Sequence, residues 1–169
     1  GETARVSVST AGTQGNNNSA APDLNENGQF VVFYSFSSNL VAGDTNSNLD
    51  VFVRNRQTGE TTRVSVSTAG TQGNNHSRLP DMSNDGNLVS FESDATNLVA
   101  GDTNAKRDIF VRDRQAGTTT RVSVATGGGE VTGDSFNSAL SGDGRFVAFE
   151  SVATNLVAGD TNGASDVFV

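Results

Sequence analysis

Cysteine and tryptophan are absent from the 169 residues, proline occurs twice, and tyrosine, methionine and histidine occur once each. Without thiols the fold cannot rest on disulfides, and thiolate catalysis and cysteine-ligated zinc are excluded. Long apolar runs are also lacking. None approaches the roughly 18–20 residues that cross a bilayer, so no membrane insertion is expected. Gly1-Glu2-Thr3 has neither the basic nor the apolar region of a signal peptide, which is consistent with a soluble chain whose export signal has been removed. Positive charge is scarce. Eleven basic residues, one of them Lys106, face 19 acidic ones, for a net charge of -8. Such a surface repels phosphate backbones, which argues against nucleic acid and favours divalent cations as partners.

What is abundant is repetition. Arg-Val-Ser-Val stands at Arg5–Val8, Arg63–Val66 and Arg121–Val124, and Asn-Leu-Val-Ala-Gly-Asp-Thr-Asn at Asn39–Asn46, Asn97–Asn104 and Asn155–Asn162. The step is 58 residues each time, without insertion or deletion, giving repeats at about 1–58, 59–116 and 117–169 within one domain, 1–169. Nothing in a period has helical spacing. Ser19 to Leu24, Phe30 to Ser35, Asp50 to Arg54 and Thr61 to Val66 read as strands, with copies further along. Asn27-Gly28, Asp85-Gly86 and Asp143-Gly144 suggest tight hairpins with positive φ at both central residues. Gly59 and Gly117 mark a second turn.

Four antiparallel strands per period point to an all-β array of small radial sheets, a β-propeller. Two long loops, about Phe36 to Leu49 and Ser67 to His76, should emerge on one face. Phe33, Phe52 and Leu40, with their copies Phe91, Phe110, Leu98 and Phe149, Phe168, Leu156, supply packing between blades. Pro80-Asp81-Met82-Ser83-Asn84-Asp85-Gly86, followed by a strand ending in Phe91, resembles the signature of TolB-type propeller repeats. The first copy, Pro22 to Phe33, follows it less closely, and the third has Ser138-Ala139 in place of Pro-Asp. The resemblance covers nearly the whole chain and implies six blades, of which three are present. Glu2 to Val8 has fourth-strand character and Asp166 to Val169 third-strand character. Pairing these segments between two copies is expected to close a six-bladed homodimeric ring and cover both bare edges. The alternative is a piece of a longer tandem array.

The most suggestive polar constellation is Asp44, Asn46, Asn48 and Asp50, repeated as Asp102, Asn104 and Asp108 and as Asp160, Asn162 and Asp166. Alternating oxygen-bearing side chains on a loop can converge on a hard cation, and calcium is the candidate. Lys106 and Ala164 stand where the first copy has Asn48, so only a backbone carbonyl serves there throughout. The competing explanation is Asx-turns, with Asp50 bonding backbone amides. The loops Ser9–Asn17, Ser67–Asn75 and Ala125–Gly133 carry amides and hydroxyls suited to a glycan or peptide, yet no tryptophan offers a sugar platform. His76 is matched by Asn18 and Asp134 and reads as an ordinary loop residue. Glu92 and Glu150 lie on strands and form a catalytic pair only if the ring brings them together. Arg54, Arg56, Arg112 and Arg114 suggest cross-strand ion pairs with Asp113 and Glu60.

The expected function is therefore a non-enzymatic interaction or scaffold module, outside the cytoplasm in the extracellular space or periplasm. It partners itself and takes a protein or glycan on the long-loop face. A carbohydrate-binding module, the propeller part of a larger extracellular enzyme and a purely structural repeat are the alternatives.

Overall fold

A computed structural model describes residues 1–169 and contains eleven strands and no helix. β1 (Ser19–Leu24), β2 (Phe30–Ser35), β3 (Asp50–Asn55) and β4 (Glu60–Arg63) form an antiparallel sheet in chain order. β5 (Ser77–Met82), β6 (Leu88–Ser93), β7 (Asp108–Asp113) and β8 (Thr118–Arg121) form the second. β9 (Ser135–Leu140), β10 (Val147–Ser151) and β11 (Asp166–Phe168) form the third. Strand period and sequence period coincide, but each sheet takes its outer strand from the start of the next sequence repeat.

Alternation along a strand sends successive side chains to opposite faces, and in the middle sheet both faces are apolar because it has a neighbour on either side. Phe33 stacks across the strands on Phe52 at 6.0 Å and Phe91 on Phe110 at 5.9 Å. On the other face of the first sheet, Val32, Val51 and Val53 meet Met82, Val89, Phe91, Leu98 and Phe110 of the second in one cluster. Ile109 repeats the arrangement against Phe149 and Leu156 of the third sheet. The expected packing role of the repeated phenylalanines and leucines is thus seen at both seams. Phe33, Leu40 and Phe52 instead form a separate small cluster.

The first strands meet at the centre, and there the Pro-Asp pair has a definite task. Asp23 Oδ2 accepts the Met82 amide at 3.0 Å, and Asp81 Oδ2 accepts the Leu140 amide at 2.6 Å. Burial, and secondarily the Asp81 carboxyl, push Asp23 above the usual carboxylate range. Ala139 occupies the third position and has no carboxylate to offer. Register breaks between residues 20 and 23 and between 78 and 81 place Ala21 and Leu79 in the left-handed region at φ 46° and 47°.

The structure corrects two local expectations. At the hairpin tips only the glycines have positive φ; Asn27, Asp85 and Asp143 do not. The turn is wider because Ser83 Oγ donates to Asp85 and accepts the Leu88 amide, spanning five residues instead of two. The outer strand ends at Arg63 although Val64 still donates to Val51 at 2.8 Å. Ser65 Oγ then takes the Val51 amide at 3.1 Å in place of a ladder bond, and the chain turns toward the next sheet.

Gly86 couples turn and seam. Its φ is +73°, and a Cβ there would run into the Phe30 ring of the preceding sheet. Gly12, at φ +82°, has open space around it. Gly12→Ala should therefore cost about 1 kcal/mol of backbone strain, and Gly86→Ala clearly more, as read by urea denaturation. Equal losses would mean that the Phe30 contact contributes nothing to the seam.

Candidate functional site on the long-loop face

The two long loops of each period interlock on one face. Asn46 Nδ2 donates to Gly73 O at 2.9 Å, Gln72 Nε2 to Thr45 Oγ1 at 2.7 Å, and Asn74 exchanges bonds with Thr96 and donates its amide to Asn97 Oδ1. The amides and hydroxyls of the Ser9–Asn17 and Ser67–Asn75 loops are largely spent on this lattice.

The Asp/Asn loops do converge, and a cation of the protein's own lies between their carboxylates. Arg63 Nη1 is 3.2 Å from Asp44 Oδ1 and 3.1 Å from Asp50 Oδ2. Asp50 also accepts Asn46 Nδ2 at 3.0 Å and Ser65 Oγ at 2.6 Å, while Asn46 Oδ1 caps the amide of Asn48 in an Asx-turn. In the second copy Arg121 Nη1 lies 3.2 Å from both Asp102 and Asp108 and 3.0 Å from Glu130. Asn104 bridges to Asp108 in the same way. A calcium ion in either copy would have to displace this guanidinium. In the third copy Asn162 donates to Asp166 at 3.2 Å, and no arginine approaches Asp160 or Asp166. Arg-Val-Ser-Val, which sequence reasoning used only to mark the repeat, thus supplies the central cation; its unvarying arginine was the available signal.

Burial governs the electrostatics. Asp102 Oδ1 sits beside Arg121 without an aligned N–H donor, so it is paired by charge alone. Burial, with Asp108 adding to it, pushes Asp102 up to about 6, against the opposing pull of Arg121. Asp44 and Asp108 are raised, again chiefly by burial. Glu130, held by the hydroxyl and amide of Thr103 and then by Arg121, is drawn down to about 2. Between the unfolded value near 3.8 and the folded value near 6, the folded state holds a proton on Asp102 that the unfolded chain has lost. This group therefore lowers stability fully above that window, and the penalty fades as pH falls through it. Asp102→Asn should raise the melting temperature at about pH 8, with the difference smaller at about pH 5 and gone by about pH 3. A loss at pH 8 would show that the charged carboxylate is needed there. Glu130 acts oppositely, its contribution being present above its unfolded value and lost as pH falls toward 2.

The remaining candidates have structural partners. His76 Nδ1 accepts the Leu49 amide at 2.9 Å, and its ring meets Phe36 edge-on at 5.6 Å. Glu92 is buried, accepting Arg78 Nε at 2.8 Å, with Arg107 Nη1 at 3.4 Å. Both arginines also reach Asp94 at 3.0 Å, a network that sequence reasoning missed. Asn137 joins Glu92 to Glu150, donating its amide to one at 3.1 Å and Nδ2 to the other at 3.2 Å. The arginines of the short hairpins do not make the expected ion pairs. Arg54 and Arg112 bond to Ser9, Ser67 and Gly117 carbonyls, Arg56 to Gly28 O, and Arg114 stacks over Phe30 at 4.4 Å. Their nearest strong acceptors are carbonyls at the turns.

Sequential four-stranded antiparallel sheets, converging on their first strands and packed face to face, are the blades of a β-propeller. The comparisons agree. The chain is similar in structure to a TolB protein from Agrobacterium tumefaciens, with a TM-score of 0.51 and 17% identity over 76% of this chain and 36% of that one. It is also similar to the tricorn protease, with a TM-score of 0.50 and 14% identity over 80% of this chain and 11% of that one. The chain has the TolB-like propeller fold and spans about a third and a tenth of these two proteins, one of them an enzyme. No family model and no curated protein matches it. It contains no helix long and apolar enough to cross a membrane.

Proposed function

We propose that this chain is a self-assembling propeller module, outside the cytoplasm, that closes a six-bladed ring with a second copy of itself. The carrying observation is a contrast between equivalent residues. Val51 and Val53 are 0% and 1% exposed, whereas their counterparts Val167 and Val169 are 76% and 86% exposed. Phe146 is 55% exposed, although its counterpart Phe30 packs on Gly86 beneath Arg114. At the opposite end of the array Leu24 is 58% exposed where Met82 is 5%. The open end thus offers Phe146, and the other offers Gly28 and Arg56, the counterparts of Gly86 and Arg114. An apolar cavity of about 500 Å³ beside β11, lined by Val122, Phe149 and Phe168, adjoins the same edge. Apolar area of this kind favours burial at about 25 cal/mol per Å². Light scattering on the purified chain tests the ring: a dimer is expected, and a monomer at all concentrations would refute it.

The long-loop face is the recognition surface in this reading. Changes between blades fall there: Tyr34 is matched by Glu92 and Glu150, and Phe36 by Asp94 and Val152. Phe36 and Val152 are 41% and 42% exposed. Screening a glycan array and a peptide library should yield binders that Phe36→Ser weakens; none on either would remove this surface. Calcium and ring closure compete for one slot: Asp160, Asn162 and Asp166 are free of a guanidinium only in the single chain, and calorimetric titration of the monomeric chain without heat would exclude the ion there.

A further inference from the structure

We infer that Arg5 of one copy enters the carboxylate slot formed by Asp160 and Asp166 of the other, and that this intermolecular ion pair locks the ring. The inference rests on the ring reading above. Its basis is a constellation that occurs twice within the chain and once in separated parts. Arg63 fills the slot of Asp44 and Asp50, and Arg121 that of Asp102 and Asp108. In both cases the arginine comes from the outer strand. That strand is anchored beside it, since Val64 donates to Val51 O and Val122 to Ile109 O, both at 2.8 Å. The adjoining serine completes each slot, Ser65 donating to Asp50 and Ser123 to Asp108, both at 2.6 Å.

Arg5 and Ser7 are the same two residues one period earlier, and Asp160 and Asp166 the same two carboxylates one period later. Neither half meets its counterpart within one molecule. Arg5 is exposed, and its single side-chain partner is Gln14, the equivalent of the Gln72 that accepts Arg63. Asp166 is already held by Asn162 as Asp50 is by Asn46. β11 presents an unpaired edge at the place where β4 and β8 run in the other sheets. The segment Arg5–Val8 of a second copy therefore brings strand pairing, a hydroxyl and a guanidinium to one edge. The occupant is specified by charge and spacing: an apolar or acidic strand would leave two carboxylates facing each other in a closed seam.

Sedimentation velocity on three proteins and one mixture tests this. The wild-type chain is expected to dimerise. Arg5→Glu, and separately Asp160→Asn with Asp166→Asn, should each weaken dimerisation at least ~30-fold. An equimolar mixture should dimerise again, because a heterodimer contains one seam with the native arginine and carboxylates. Arg5 is exposed, so Arg5→Glu leaves the folding of the monomer intact even if the double variant is impaired. Arg5→Glu dimerising as tightly as wild type would overturn the ion-pair lock and leave the ring standing. A monomeric wild-type chain would overturn the ring, and the lock with it.

Discussion

Phe91→Ala is expected to cost about 3–5 kcal/mol, a large share of the stability of a domain this size. Phe91 is fully buried, stacks on Phe110 at 5.9 Å and belongs to the cluster that joins the first two blades. Its loss opens a cavity that β-sheets on both sides are too rigid to refill. The counterpart pair Phe149 and Phe168 has the same spacing, 5.9 Å, but Phe168 is only half-buried at the edge of the third blade. Phe168→Ala should cost well under half as much when denaturant unfolding is measured at concentrations where the chain is monomeric. Equal losses there would show that position in the array does not decide burial, which would undermine the seam argument as a whole.

Arg121→Met should cost about 3–5 kcal/mol near pH 7.5, since removing one partner of a buried pair strands the others. Here it leaves Asp102, Asp108 and Glu130 together, all within 3.2 Å of the departed nitrogen. Asp102 already sits at about 6 with the guanidinium present. Without it Asp102 and Asp108 rise further above their unfolded values and Glu130 loses part of what holds it low, so folding takes up protons. The loss should shrink as pH falls from about 7.5 to 5, the pH dependence following from proton linkage. Thermal melts of wild type and variant at both pH values would measure this. A loss independent of pH would mean that packing of the arginine stem, and not its charge, holds the slot.

Much of this molecule is legible one residue at a time. Ser19 to Leu24, Ser77 to Met82 and Ser135 to Leu140, weak strand formers by composition, have the strand limits that the repeat and the following hairpin turns predict. The 58-residue period carries the number of blades, because the pairs Phe33 and Phe52, Phe91 and Phe110, and Phe149 and Phe168 each stack within one sheet. The hairpin tips were harder: a dipeptide such as Asp85-Gly86 predicts a two-residue turn until Ser83, two positions earlier, competes for the same backbone amides. The expected pairing of Arg54 and Arg112 with nearby acids failed for a similar reason. Turn carbonyls at Ser9 and Ser67 lie closer than any carboxylate, and no local pattern reports where a distant loop brings them.

The polar site divides along the same line. The Asx-turns of Asn46, Asn104 and Asn162 are set by residues two apart, so the sequence alone determined them. Whether the flanking carboxylates face solvent, a metal or a guanidinium depends on a strand 13 residues beyond Asp50, and only the folded sheet sets Arg63 between Asp44 and Asp50. The same separation governs exposure. Val51 and Val167 have the same residue type and the same strand position, yet one is buried and the other bare, because burial is conferred by the neighbouring blade and not by the residue itself.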